Sequence, residues 1–159
     1  MKPNTKDVAI IAVFAALYAA LVYVFTPISF LALQFRVAGI LRPAIARKWT
    51  LSIGYAAGVA IGNFFSPFGA YDLLFMPAMS LAAGVVGYLA AKPFKNNYFV
   101  TGTVIATIIP VSVSWMLNQI LGLPILATLP YLFISEQTIC LLGATMFTLI
   151  EKRFKWWQI

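Results

Sequence analysis

The stretch VAIIAVFAALYAALVYVF, residues 8–25, runs for 18 residues without a charged side chain. An uncharged apolar run of this length can cross the hydrocarbon core of a bilayer as an α-helix. A signal peptide is the alternative, but its apolar core is shorter and ends in an Ala-x-Ala-like site, and further hydrophobic segments follow this run. The stretch therefore predicts that the chain starts with a membrane-spanning helix.

The composition extends this prediction to the whole chain. Of the 159 residues, 62% are hydrophobic and 9% are charged, against roughly 45–50% and 25% in a soluble globular domain. Further apolar runs occupy residues 49–65, 72–91, 98–121 and 126–150. Six spans of about 20 residues each would use about 120 residues. We expect an all-α integral membrane protein, a single domain over residues 1–159 that forms a compact bundle of six transmembrane helices in the cell membrane.

The segment between the first two long runs, residues 36–48, is too short and too charged to face lipid by itself. We expect a short helix enclosed by its neighbours, with Pro43 as a possible break or kink. In an α-helix, Arg42 would lie about 9 Å deeper than Arg36 and about 240° further round the axis, so the two would not share a face.

The positions of the basic residues suggest how the chain is oriented. The formal net charge is +7, from 11 basic and four acidic residues. If the N-terminus is cytoplasmic, six passes return the C-terminus to the cytoplasm, and about nine of the basic residues fall on that side, as the positive-inside rule requires. Both termini are therefore predicted to be cytoplasmic, and the charge gives no support for nucleic acid as a partner.

The residue inventory excludes most catalytic chemistry. The chain has no His and a single Cys, Cys140. It therefore forms no internal disulfide, no His/Cys zinc site and no Ser-His-Asp or Cys-His arrangement. It also lacks the Gly-x-x-x-x-Gly-Lys-Ser/Thr loop of ATP-hydrolysing proteins. We expect no enzyme activity, no metal site and no cofactor.

A few polar residues are not explained by topology. A charge inside the bilayer costs at least about 2.5–3.5 kcal/mol, so it usually faces a cavity or a partner. This criterion selects Arg36, Arg42, Asp72 and Glu136, with Asn63 as an uncharged companion. Arg42 either contacts a ligand or forms an ion pair with one of the two acids. Asp72 follows a Pro/Gly turn and either caps a helix or binds a ligand, whereas Glu136 lies about ten residues into the last span, too deep to cap it.

Aromatic residues, Phe68 and Tyr71 among them, crowd the loops predicted to lie outside. An aromatic belt at the membrane interface accounts for most of them. Together with arginines and carboxylates beneath, they would also suit a flat heteroaromatic ligand.

Small residues recur every four positions in two runs, and each set therefore lies on one helix face. The two sets are Ala12, Ala16 and Ala20, and Gly54, Gly58 and Gly62. Such faces allow close approach of another helix. The glycine face predicts a close helix contact within the bundle. The alanine face either packs inside the bundle or docks onto a separate membrane subunit.

Two stretches resemble a known family. FRVA, residues 35–38, is like the Arg-x-Ala-Glu-Ala-Leu stretch of the QueT-type family, and GNFFSPFGAYD, residues 62–72, is similar to its Asn-x-x-x-Pro-x-Gly-x-x-Asp segment. The length and the alanine stripe also resemble the substrate-binding S components of energy-coupling factor (ECF) transporters. Gly39 stands where the family tends to have Glu, and Arg42 adds a basic group. This exchange favours a more acidic or carbonyl-rich solute.

The resemblance implies a protein that captures a small-molecule micronutrient, such as the planar heteroaromatic queuosine precursor, from outside. It would then dock its alanine face onto a transmembrane coupling subunit that is driven by two ATPases.

The expected residue roles follow from the same reading. Arg36, Asp72 and Glu136 would make polar ligand contacts, Asn63 would orient the ligand, and Phe68 and Tyr71 would form a lid or stack. Two alternatives stay open: a standalone permease coupled to protons through Glu136, and a non-transport assembly or regulatory subunit.

Overall fold

The computed structural model describes residues 5–29, 35–64 and 66–158, and over these residues it is helical with connecting turns. The α-helices are α1 (Thr5–Val24), α2 (Thr26–Ser29), α3 (Leu51–Gly62), α4 (Met76–Ala91), α5 (Tyr98–Leu121) and α6 (Ile125–Arg153). The other elements are a central 3₁₀ helix (Val37–Ala46), a π-helical turn (Tyr71–Phe75) and two short 3₁₀ helices (Lys92–Phe94 and Trp156–Gln158). The expected all-α fold is confirmed.

Four helical segments in the described part are long and apolar enough to cross a membrane. They are Thr5–Val24, Tyr71–Phe94, Tyr98–Leu121 and Ile125–Arg153. Two further apolar helices, Val37–Ala46 and Leu51–Gly62, are shorter. A multi-pass membrane protein is therefore supported, while the count of six spans and the cytoplasmic side of the termini stay predictions.

The central 3₁₀ helix is the enclosed short helix expected from the sequence. Most of its residues are buried, and it contacts α1, α4, α5 and α6. A 3₁₀ helix rises about 2.0 Å per residue, so ten residues cover about 20 Å, more than they would as an α-helix. Pro43 does not interrupt the helix, because its fixed φ near −65° suits 3₁₀ geometry.

Glycines allow the backbones of several helices to meet. A Cβ atom added at Gly54 or Gly58 would lie 2.8 Å from the carbonyl oxygen of Ile11 or 2.9 Å from that of Ala15. The glycine face of α3 therefore packs directly on α1, as predicted. A Cβ added at Gly143 in α6 would overlap the backbone carbonyl of Ile40 in the central helix, so α6 and the central helix also pack backbone to backbone.

Helix α1 uses a different face from the alanine stripe for this packing. Its buried residues are Phe14, Ala15, Tyr18, Ala19 and Val22. The stripe residues Ala12, Ala16 and Ala20 are all exposed in this chain. Of the two alternatives for the stripe, packing inside the bundle is wrong, because α3 occupies the adjacent face.

The two ends of the bundle differ in character. At the end that we call the basic end, Arg47 donates a 3.0 Å hydrogen bond to Glu151, and Lys48 forms a 2.8 Å ion pair with Asp7. At the opposite end, which we call the loop end, the Tyr23 hydroxyl donates to the carbonyl of Ile61. At each end of the bundle, side chains therefore connect elements that are far apart in the sequence.

Candidate functional site

An ion pair lies at the centre of the bundle. Arg42, on the central 3₁₀ helix, donates through Nη1 to Oε2 of Glu136, the twelfth residue of α6. The two side chains are only 1% and 7% exposed. Of the partners that the sequence left open for Arg42, Glu136 is therefore the one that it contacts, rather than Asp72. A paired charge at this depth avoids the large free-energy cost of an isolated buried one.

Two tyrosines complete the surroundings of this ion pair. Nη2 of Arg42 lies 3.2 Å from the hydroxyl oxygen of Tyr18, and Cζ of Arg42 lies 5.3 Å from the ring centroid of Tyr55. The two rings pack edge to face at 5.2 Å. The guanidinium is thus held by a carboxylate, a hydroxyl and an aromatic face. We call these four residues the Arg42 cluster.

Gly39 provides space for the guanidinium. A Cβ atom at Gly39 would lie 3.1 Å from Nη1 of Arg42 and 3.0 Å from Cγ2 of Ile139. Residues three apart eclipse one another in a 3₁₀ helix, so Gly39 lies directly before Arg42 on the same face. Gly39 is therefore a residue against which the guanidinium of Arg42 packs.

The same geometry corrects the expected placement of Arg36. The backbone N–H of Gly39 bonds to the carbonyl of Arg36 at 2.8 Å, one 3₁₀ turn earlier. Gly39 and Arg42 share a face of the central helix, whereas Arg36 precedes the helix with φ −86° and ψ 87°. The spacing of 3.6 residues per turn that was assumed for this segment is wrong, because the segment is a 3₁₀ helix. Arg36 is buried, one helix length away from the basic end.

A second polar cluster lies at the loop end, where α3 leads into the π-helical turn. The hydroxyl of Ser66 donates to the carboxylate of Asp72 and accepts from the backbone N–H of Phe68 at 3.1 Å. Nδ2 of Asn63 donates to the carbonyl of Asp72 at 3.2 Å. We call Asn63, Ser66 and Asp72 the loop cluster. Asp72 lies inside the π-helical turn and does not cap it, so the capping alternative is wrong.

The loop cluster contains an unused acceptor. Oδ1 of Asn63 is buried and has no hydrogen-bond partner among the described residues. Asp72 is also buried, at 1% exposure. A buried polar atom without a partner costs free energy that a bound molecule could recover. The cluster therefore offers a carboxylate and an amide oxygen, both acceptors for the N–H groups of a ligand.

The two predicted aromatic residues differ in their surroundings. Phe68 is partly buried and packs against the core beside the loop cluster. Tyr71 is exposed, and its ring packs edge to face on Trp115 at 6.3 Å. The structure thus brings Phe68, but not the ring of Tyr71, against the core.

Two cavities lie near the basic end. One, of about 500 Å³, is lined by charged residues that include Arg47 and Glu151. The other, of about 440 Å³, is an apolar groove between α1, the central helix and α6. Neither is lined by Arg42 or by Asp72, so these cavities are distinct from the two polar clusters.

Comparison with known families relates this architecture to transport. The family model described as "QueT transporter" matches residues 8–152, nearly the whole chain. The chain belongs to the QueT transporter family. The resemblance of the two sequence stretches to the QueT-type family is thereby confirmed. No curated protein and no solved structure shows significant similarity to this QueT family member.

Family membership identifies the protein as a membrane transport protein rather than a member of an enzyme class. Both polar clusters lie within the matched residues. The Arg42 cluster joins the central helix to α1, α3 and α6, and the loop cluster joins α3 to the π-helical turn.

Three polar members of these clusters were not predicted from the sequence: Tyr18, Tyr55 and Ser66. Tyr18 and Tyr55 were read only as part of apolar runs. A tyrosine hydroxyl inside the membrane nevertheless needs a partner, as the buried hydroxyl of Tyr18 shows. That requirement is the signal that would have placed a polar group opposite Tyr18, whereas Tyr55 contacts Arg42 through its ring.

Proposed function

We propose that this QueT-family protein is the substrate-binding S component of an ECF importer. It binds a small planar heteroaromatic micronutrient, a queuosine precursor or a related compound, from outside the cell. A transmembrane coupling subunit and two ATPases then drive its release inside. The family match over residues 8–152 carries this proposal. The chain has no ATP-binding loop of its own, so an ATP-driven importer requires ATPase partner subunits.

The solute binds at the loop end. There the loop cluster presents the carboxylate of Asp72 and the unpartnered Oδ1 of Asn63, which accept hydrogen bonds from ring N–H groups of a heteroaromatic solute. Phe68 supplies an apolar ring next to these acceptors, and the buried Arg36 is the cation at this end of the central helix. Residues 30–34, which include part of the predicted aromatic belt, lie outside the described residues.

The Arg42 cluster supports the structure of this site and does not itself contact the solute. Arg42 and Glu136 already satisfy each other's charge. The pairing also weighs against a standalone proton-coupled permease, because the carboxylate that would carry the proton is held by a guanidinium.

The exposed face of α1 suits docking of a coupling subunit. Ala12, Ala16 and Ala20 are exposed and form a narrow stripe of small side chains, beside the exposed Val13 and Leu17. Helices in membranes associate closely through such small residues, since lipid gives no hydrophobic drive between apolar surfaces.

The first experiment identifies the solute. Native mass spectrometry of the purified protein should detect a co-purifying heteroaromatic compound, and Asp72→Asn should lower its occupancy. An uptake assay in proteoliposomes then separates the alternatives. The S-component proposal predicts binding without uptake until a coupling subunit, ATPases and ATP are added. Uptake by the chain alone that an uncoupler abolishes would establish the permease instead. If the protein binds no solute and recruits no coupling subunit, the assembly-subunit alternative replaces both.

The docking role of α1 has its own test. Ala16→Leu should leave solute binding unchanged but reduce ATP-driven uptake at least tenfold, because the leucine separates the two helices. Ala82→Leu, at an exposed position of α4, is the matched control and should leave uptake intact. Equal loss of uptake in both variants would contradict a specific docking face on α1.

A further inference from the structure

The cavity at the basic end is a separate feature with its own chemistry. It has a volume of about 500 Å³, within the range of small-molecule sites. Its charged lining residues are Arg47, Lys95, Glu151, Lys152 and Lys155. Four of these are basic and one is acidic, so the cavity is strongly positive.

The acidic residue does not neutralise the lysines. Both carboxylate oxygens of Glu151 accept hydrogen bonds from Arg47, at 2.6 Å to Oε1 from Nη2 and 3.0 Å to Oε2 from Nε. Arg47 also donates to the backbone carbonyl of Lys95 at 3.2 Å. In the part of the chain that the structure describes, Lys95, Lys152 and Lys155 form no ion pair. Three positive charges at the cavity are thus available to an anion.

A buried tyrosine adds a second, independent observation. Tyr98 lines the cavity and is only 3% exposed, yet its hydroxyl has no hydrogen-bond partner among the described residues. Tyr98 is also the first residue of α5, a helix of 24 residues. The side chain of Asn97 already accepts from the N–H of Phe99 at 2.8 Å, but the positive dipole end of a long helix still favours an anion near this position. An anion would therefore interact favourably with all three features: the Tyr98 hydroxyl, the N-terminal end of α5 and the lysines.

The cavity also has an apolar rim. Phe94 and Phe99 line it and are 61% and 40% exposed, and the nearby Trp157 stacks on Arg47 at 4.8 Å. Exposed aromatic rings beside lysines are typical of the membrane–water interface. Basic pockets at this level bind the headgroups of anionic lipids.

From these observations we propose that the basic-end cavity is a binding site for the phosphate headgroup of an anionic phospholipid. Lys95, Lys152 and Lys155 pair with the phosphate, the hydroxyl of Tyr98 donates a hydrogen bond to it, and Phe94 and Phe99 contact the start of the acyl chains. The site lies at the opposite end of the bundle from the proposed solute site and does not depend on it.

The test compares two double variants of the full chain that lose the same charge at the same end. Lys95→Gln with Lys155→Gln removes two cavity lysines, whereas Lys92→Gln with Arg153→Gln removes two basic residues that do not line the cavity. Native mass spectrometry in detergent titrates each protein with phosphatidylglycerol and with phosphatidylcholine of matched acyl chains. Inorganic phosphate is titrated in parallel as a competitor.

We expect one tightly retained phosphatidylglycerol per chain and little phosphatidylcholine. The cavity variant should bind phosphatidylglycerol about 30-fold more weakly, which corresponds to about 2 kcal/mol for two lysines, and the control pair should change it less than threefold. Tyr98→Phe removes a hydroxyl that makes no hydrogen bond among the described residues and keeps the ring on which Arg47 stacks at 4.7 Å, so this variant should keep its fold and bind about fivefold more weakly.

Three results would overturn the proposal. Equal losses in the two double variants would show general charge attraction without a site. Equal retention of phosphatidylcholine would show that the phosphate charge is not what is recognised. Displacement of the lipid by millimolar inorganic phosphate would identify a soluble phosphate compound as the ligand.

Discussion

The central prediction concerns the ion pair between Arg42 and Glu136. Glu136→Gln keeps the shape of the side chain but removes its charge, and it leaves a guanidinium that is 1% exposed without a counterion. The remaining contacts are the hydroxyl of Tyr18 at 3.2 Å and the ring of Tyr55. Removing one partner of a buried pair costs about 3–5 kcal/mol. For a chain of this size, that loss lowers the melting temperature by about 6–20 °C.

A double-mutant cycle separates the pair from its surroundings. Arg42→Met and Glu136→Leu should each destabilise the protein strongly, because each leaves one buried charge. The double variant has no buried charge at this position. It should therefore be at least as stable as either single variant, with a coupling energy of about 2–3 kcal/mol.

Cys140 provides the assay. It is the single cysteine of the chain and is buried, and its Sγ lies 3.7 Å from the carbonyl oxygen of Gly39, one turn before Arg42. Its reaction with a thiol-reactive fluorogenic dye during heating reports unfolding at the ion pair itself. If Glu136→Gln melts within about 1 °C of the unchanged protein, or if the two single effects simply add, the reasoning is refuted.

Two further predictions concern packing and the loop cluster. Gly143→Ala should lower the free energy of unfolding by about 1–3 kcal/mol, because the added methyl overlaps the carbonyl of Ile40. The melting temperature, followed by the reaction of Cys140 with the dye, measures this loss. An unchanged melting temperature would contradict the backbone contact. Ser66→Ala should weaken solute binding and cost about 1–3 kcal/mol, since the buried Asp72 carboxylate loses its donor. Ser66→Thr should restore both, and a thermal-shift titration that finds Ala and Thr equivalent would contradict the role of the hydroxyl.

Local signals account for the elements that the sequence predicted well. The apolar run at residues 98–121 coincides with α5. There, Asn97 caps the start of the helix and Gly122 ends it with a positive φ of 67°, and both residues act within one turn of the helix end. The glycine face of α3 was likewise predicted to make a close contact, because its spacing alone places the three glycines together.

The candidate site was predicted only in part. Asn63 and Asp72 lie together as expected, because they are nine positions apart in the chain and a turn lies between them. The bond from Ser66 to Asp72, in contrast, depends on the path of the loop, and the outward orientation of Ala16 depends on which face of α1 meets α3. Spacing along a helix shows which residues share a face but not what that face contacts.

The sequence alone predicts a helical membrane protein with few polar residues available for a functional site. Length and hydropathy are sufficient for this prediction, because a long apolar helix pairs its own backbone groups and can cross the bilayer without help from its neighbours. Only the tertiary structure decided that the segment Val37–Ala46 is a 3₁₀ helix and that Arg42 pairs with Glu136, 94 positions away. The 3₁₀ conformation and the ion pair both depend on burial. The residues packed around the central helix decide its conformation, and a buried charge needs a partner of opposite charge nearby.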